Sequence, residues 1–166
     1  MANIYSNLTL ERAHELFEYR DGDLIRKITT SNNAKAGQTV GCLASNGYLV
    51  VRINNVLHYV HRLVFFMHHG FFPAYVDHID GNPANNRIGN LRQSTNQQNS
   101  CNQRIKKANK SGFKNVSWSK EKNKWVVRVQ TFGQVVHVGY FENLKDAVDA
   151  AIISRNTIHH EFARHS

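Results

Sequence analysis

The sequence predicts an α+β chain of small antiparallel sheets and a few helices. Three observations predict it. Tyr48 to Ile53 and Val56 to Val60 are two β-rich runs flanking Asn54-Asn55, residues that tolerate the positive φ of a tight hairpin turn. Trp125, Val127 and Val129 alternate with Val126, Arg128 and Gln130, the period of a half-buried strand, and Gln134 to Tyr140 alternates in the same way. Behind Asn143, Leu144, Ala147, Val148, Ala151 and Ile152 recur at helical spacing and make one apolar face.

The remaining elements follow from local signals. Leu10, His14, Leu16 and Phe17 suit a short amphipathic helix that stops before the turn signal Asp21-Gly22. Leu24 to Ile28 is strand-like and Ser31 to Gln38 is a polar loop. His61 to Gly70 is helical, with Leu63, Phe66 and Met67 on one side, and Phe71-Phe72-Pro73 closes it. Ser100 to Gly112 is basic without apolar periodicity and is expected to be a linker. Val116 and Trp118 end a short strand, Phe132-Gly133 is a turn, and Asn143 is the expected helix cap. Within this face pattern Trp125, Val127, Val129, Val136 and Val138 are expected to point inward, and Arg128, Gln130, Val135 and His137 outward.

Charge narrows the partners. The 166 residues carry 21 Lys and Arg against 12 Asp and Glu, a net +9. Between Arg104 and Arg128 stand nine basic residues and Glu121 alone. A localised basic block on a folding chain favours a polyanion, nucleic acid before membrane. No apolar run approaches the roughly 20 residues that cross a bilayer. Met1 to Glu11 lacks the basic-then-apolar pattern of a secretory signal. Cys42 and Cys101 stand far apart without a CxxC, which excludes a disulfide scaffold or cysteine-rich zinc ribbon and suits a reducing, cytoplasmic setting.

Asp77 to Asn99 carries the chemistry. Asp77-His78 sets a carboxylate beside an imidazole, ahead of the turn sequence Ile79-Asp80-Gly81-Asn82. Asp and Asn oxygens are hard ligands suited to Mg²⁺. A histidine beside such an ion can take a proton from water at neutral pH. That set suits phosphodiester hydrolysis; a hydrophilic loop of local asparagine turns is the bland alternative. Val76, Ile79, Ile88 and Leu91 would anchor the loop to a core.

His61-Arg62-Leu63-Val64, Val76 to Asn82, Asn85 to Arg92 and Asn99 together resemble the HNH endonucleases, most nearly the phage and intron-encoded homing type. The resemblance implies a ββα-metal fold, two strands and a helix around one divalent ion. It makes His78 the general base, Asp77 the first metal ligand, Asn90 the residue that orients His78, and Asn99 the second ligand on the helix. An oxygen ligand at Asn99, where histidine is common, favours Mg²⁺ or Mn²⁺ over Zn²⁺. His58, His61, His68 and His69 are more readily structural than ligating, with His61 the one placed to support the site, and Asp80 would help the turn, with a metal-ligand role as the weaker alternative. Arg87 and Arg92 would touch the scissile phosphate or its neighbours, or else pair with a carboxylate.

Ser111 to Trp118, Lys124-Trp125, Val138 to Phe141, Asp146-Ala147, Ala150-Ala151 and His159 to Ala163 resemble the Apetala-two, or ethylene-response-factor, DNA-binding domain. That implies a three-stranded sheet laid in the major groove and backed by one helix. Its expected DNA contacts are Ser117, Lys120, Lys124, Arg128, Gln130 and His137, with Lys106, Lys107, Lys110 and Lys114 from the linker side. The lysines would mostly neutralise phosphates. Trp118 is either a core anchor or a surface for stacking. The expected organisation is an N-terminal β-rich region and nuclease module over 1–99, a basic linker over 100–112 and the second module over 113–166.

Taken together, the sequence points to a site-specific, metal-dependent endonuclease of double-stranded DNA, acting as a monomer in a cytoplasm, that of a bacterial host if phage-encoded. The alternative is a non-catalytic DNA-binding regulator that retains an HNH fold. An RNA-directed nuclease is weaker, because the RNA major groove is too narrow for side chains.

Overall fold

A computed structural model describes residues 8–102, 105, 109–131 and 133–165, and the chain divides into two compact units, Met1–Ser94 and Thr95–Ser166. Among the described residues no helix is long and apolar enough to cross a membrane.

In the first unit, helix α1 (Leu10–Leu16) is capped by Thr9, whose hydroxyl accepts from the Arg12 N–H. Phe17, expected in the helix, instead opens strand β1 (Phe17–Arg20), which pairs antiparallel with β2 (Asp23–Arg26). Asp21 and Gly22 turn the chain at φ 48° and 105°. Gly22 is also a close approach, since a Cβ there would stand 3.1 Å from the Arg87 backbone nitrogen. Strands β3 (Cys42–Leu43), β4 (Leu49–Ile53) and β5 (Val56–Tyr59) form a three-stranded antiparallel sheet. The Asn54-Asn55 hairpin turn is as expected, with φ 47° and 63°.

Helix α2 (Val60–His69) is the centre of this unit. It buries Val60, Leu63, Val64, Phe65, Phe66 and Met67 against Ala13 and Leu16 of α1, Phe17, Leu24, Val51, Val76 and Leu91. Gly70 ends it in the left-handed conformation, its N–H bonded to the Phe66 carbonyl. Strands β6 (Tyr75–His78) and β7 (Leu91–Ser94) pair antiparallel, and the polar loop between them closes with a short 3₁₀ turn, Ile88–Asn90. Val76 and Leu91 anchor that hairpin in the core as expected, whereas Ile79 is exposed.

The second unit starts with helix α3 (Asn96–Cys101), set by a capping box. Thr95 Oγ1 accepts from the Gln98 N–H, and Gln98 Oε1 accepts from the Thr95 N–H. Strands β8 (Val116–Ser119), β9 (Lys124–Thr131) and β10 (Gln134–Phe141) make an antiparallel sheet with β9 central. Helix α4 (Leu144–His159) covers one face, burying Ala147 and Ala151 on Val116, Val127 and Val129, with Trp125, Val138 and Phe141 at the margin.

Two sheet details depart from simple alternation. A bulge between His137 and Gly139 re-phases β10, so that Phe141 and Trp125 share the helix side while Tyr140 and Val126 share the other. Val136 is on the helix side but exposed, and Val126 is buried on the far side. Asn143 occupies the cap of α4 without a side-chain cap hydrogen bond; its backbone carbonyl accepts from the Ala147 N–H and its amide donates to Asp146 Oδ2, both at 3.3 Å.

Candidate active site

Asp77 and His78 end strand β6, and both are 4% exposed. The strand pairing puts Asp77 opposite Arg92 and His78 opposite Leu91. Arg92 Nε and Nη2 both lie 2.9 Å from Asp77 Oδ2. Of the two readings left open for Arg92, phosphate contact or a carboxylate partner, the structure gives the second, with the expected metal ligand as that partner. Arg92 balances a carboxylate whose burial alone would be costly.

His78 Nε2 is 3.0 Å from Oδ1 of Asn86. Asn86 is 2% exposed. An amide oxygen accepts, so Nε2 carries the proton and the basic lone pair is on Nδ1. The side chain bonded to Nε2 is Asn86, whereas the resemblance gives the orienting role to Asn90. Asn90 instead braces the loop. Its Oδ1 accepts from the Asp80 N–H at 3.0 Å, and its Nδ2 donates to Asp80 Oδ1 at 3.0 Å and to the Asn85 carbonyl at 2.8 Å.

Asp80 is the hub of that brace. Besides Asn90 it accepts from the Asn82 N–H at 2.7 Å and from Asn85 Nδ2 at 2.7 Å. Burial raises its carboxyl, but the Asn82 N–H and the Asn85 and Asn90 amides outweigh burial and hold it below the usual range. Both its oxygens are used in shaping the loop. The loop is tied to the β1–β2 hairpin as well. Arg87 Nη2 reaches Asp21 Oδ2 at 2.8 Å, and the Ile88 N–H donates to the Tyr19 hydroxyl at 3.0 Å. The other arginine with both readings open thus also has a carboxylate partner, here at the surface.

Around His78 lie the rings of His61 (centroids 4.9 Å apart) and Tyr48 (5.7 Å), and Tyr59 is 5.5 Å from His61. Burial lowers the His61 imidazole to about 3, with the His78 and Arg62 charges adding to it. Burial also lowers His78, against the Asn86 hydrogen bond and the Asp80 and Asp77 charges, which raise it. Both imidazoles are therefore neutral at pH 7, and His78 can accept a proton. The Tyr48 phenol is pushed up by burial, then by Asp77 and Tyr59. His61 is the α2 residue in ring contact with His78. His68 bonds the Val64 carbonyl and His69 packs on Phe65.

Among the described residues no group of three His, Cys, Asp or Glu gathers around a point. Of the two expected oxygen ligands, Asp77 is on β6 of the first unit, and Asn99 is half-buried on α3 of the second. Carboxylate and amide oxygens are hard donors, of the kind that suits a small divalent ion keeping several waters.

In the second unit the strand pairings put Ser117, Lys124, Arg128, Gln130 and His137 on the sheet face away from α4. Lys124 Nζ pairs with Glu142 at 3.2 Å, and His137 lies 4.8 Å from the Tyr140 ring. Lys110 and Lys120 are exposed beside the sheet. Lys114 is tucked in, its ammonium donating to the Cys101 carbonyl at 2.6 Å. Lys106 and Lys107 lie outside the described residues. Trp118 pairs with Trp125 on the α4 side, which removes it from the outer face.

This geometry is that of a hairpin carrying an acid–imidazole pair over a braced asparagine loop, and residues 58–101 match the family model described as HNH endonuclease. Protein 3.8 of Escherichia phage T7 is 40% identical over 90 residues, which cover 54% of this chain and 74% of that protein. The chain belongs to the family of that phage protein and carries an HNH endonuclease domain. No solved structure matches.

Proposed function

We propose that the chain is a divalent-metal-dependent endonuclease that hydrolyses phosphodiester bonds of double-stranded DNA at particular sites, as a nick or a double-strand break. The observation that carries this reading is His78 itself: neutral, next to Asp77, and held at Nε2 by Asn86 so that Nδ1 is the proton acceptor. His78 takes a proton from water as that water attacks phosphorus in line, and the products are a 5′-phosphate and a 3′-hydroxyl. Asp77 and Asn99 would hold the ion, Mg²⁺ or Mn²⁺, which when bound offsets the charge developing on the leaving 3′ oxygen. Asn86 positions the base, and Asn90 and Asp80 keep the loop in shape. Arg92 holds the Asp77 carboxylate in place.

The sheet of the second unit would read the duplex, as its resemblance to the Apetala-two domain implies. Ser117, Lys124, Arg128, Gln130 and His137 share the face open to a groove. Lys106, Lys107, Lys110 and Lys120 would neutralise flanking phosphates.

The test is cleavage of whole phage and bacterial genomic DNA in Mg²⁺, in Mn²⁺ and in EDTA, beside His78→Ala, with the new ends mapped. Discrete metal-dependent breaks that His78→Ala loses while it still binds DNA are expected. Equal breaks from the variant would remove the mechanism. Binding without any breaks would leave the regulator reading.

A further inference from the structure

The chain has two tryptophans, and both line one cavity of the second unit, about 1170 Å³ in volume. Its walls include Lys110, Lys114 and Lys120 and the amides of Asn96 and Asn109, with no Asp or Glu among the described lining residues. Trp118 is 45% exposed, and its ring meets Trp125 edge-on at 5.1 Å. Because Trp118 pairs with Trp125 across β8 and β9, it stands on the side of the sheet opposite Arg128, Gln130 and His137. Ser117 and Gln130 of the outer face reach the rim of this cavity, so it is Trp118 that sets the cavity apart from the surface a duplex would meet.

The lining chemistry selects the ligand. An exposed indole face gains by stacking on a flat ring, and stacking tolerates any base. Lysines on the wall of a cavity attract phosphates. Burial, and then the nearby Arg155 charge, holds the Lys114 ammonium at about 8, so an anion beside it would strengthen its charged form. Amides such as Asn96 and Asn109 can bond base edges. Bases inside a duplex are already stacked and present no ring face, and the volume exceeds the roughly 300–1,000 Å³ typical of small-molecule sites. We propose that this cavity binds a short unpaired stretch of single-stranded DNA, with a base stacked on Trp118 and phosphates on Lys110 and Lys120.

This rests on DNA being the substrate but on no step of cleavage, so the test is of binding, with the full-length His78→Ala chain in EDTA. Because both tryptophans line the cavity, tryptophan emission reports on its occupation. A deoxythymidine oligomer of about 12 nucleotides should quench that emission saturably and lose affinity as salt rises. A duplex of the same length should leave the emission nearly unchanged while still binding. By anisotropy of a labelled oligomer, Trp118→Ala should weaken single-strand binding about 10-fold or more. Trp118→Phe should keep most of the affinity, and both variants should bind duplex as before. Three results would each overturn the proposal: emission unmoved by the oligomer, equal quenching by duplex, or equal single-strand affinity of Trp118→Ala and the parent. Equal losses in folded Trp118→Phe and Trp118→Ala would overturn it too, since a ring would then not be what is recognised. If duplex neither binds nor is cut by the unmutated protein, it is the nuclease reading that fails.

Discussion

Asn86 Oδ1 accepts from His78 Nε2 at 3.0 Å, between two side chains withdrawn from water. The bond fixes the tautomer and swing of the imidazole, as a carbonyl or carboxylate does for histidines in many hydrolytic sites. Asn86→Ala should leave DNA affinity near that of the parent and lower kcat by about 10- to 100-fold. Asn86→Asp should recover part of the loss, because a carboxylate oxygen can accept the same proton. Single-turnover cleavage with separately measured Kd checks it. An Asn86→Ala enzyme that cuts at the parental rate, or one that fails in Kd alone, would assign the orienting role elsewhere.

The Asp77–Arg92 pair makes a second, thermodynamic prediction. The carboxylate is 4% exposed and the guanidinium 15%. Removing one member strands a buried charge, at a cost of about 3–5 kcal/mol. Arg92→Met should therefore lower the urea midpoint sharply, while Asp77→Asn/Arg92→Met should regain most of that stability without regaining activity. If the double variant is as unstable as Arg92→Met, the pair is not what sets the cost.

These two contacts show what was legible in the sequence. Tight turns and face alternation were, because Asn54-Asn55, Asp21-Gly22 and the run from Trp125 to Gln130 depend on local backbone geometry. So was the HNH region in which Asp77 and His78 lie. Which asparagine meets the imidazole was not. Asn85, Asn86 and Asn90 share one loop and one chemistry, and only the fold of that loop around Asp80 turns Asn86 inward and Asn90 across. Strands β1, β6 and β7 are about four residues each, too short for a period to declare itself. Arg92 could be read as a phosphate ligand or as a carboxylate's partner, and the second holds through strand register, Asp77 opposite Arg92, which composition does not carry. The bulge after His137 likewise needs the sheet, and it decides that Tyr140 shares a face with Val126.

His61 ties the site to acid stability. Its imidazole, ordinarily at 6.5, is held to about 3 in the folded chain by burial, with His78 and Arg62 adding to it. Below 6.5 the unfolded chain takes up a proton that the folded chain refuses, so ∂ΔG/∂pH is positive there. The stabilisation is whole above about 6.5 and drains away as pH falls toward about 3, an upper estimate of about 4–5 kcal/mol. His61→Gln should flatten the fall in urea midpoint between pH 6.5 and 4. A parallel fall in parent and variant would show that other groups, carboxylates foremost, govern the acid limb.

The outer face of the β8–β10 sheet makes a prediction about salt. Lys124 is engaged with Glu142 at 3.2 Å, whereas no ion pair to Arg128 is recorded among the described residues. A cation that neutralises one phosphate adds about −0.9 to the slope of log K against log salt on a duplex. Arg128→Ala should make the slope shallower by about one unit if it meets a phosphate. Lys124→Ala should change it less, because Glu142 already offsets that charge. Glu142→Gln should steepen it by releasing Lys124. Titrations of one duplex by the cleavage-inactive His78→Ala chain across several salt concentrations separate these three slopes. An unchanged slope for Arg128→Ala, together with lost discrimination between duplex sequences, would place Arg128 on a base edge instead of a phosphate. An unchanged slope without that loss would take the sheet face out of the DNA interface altogether.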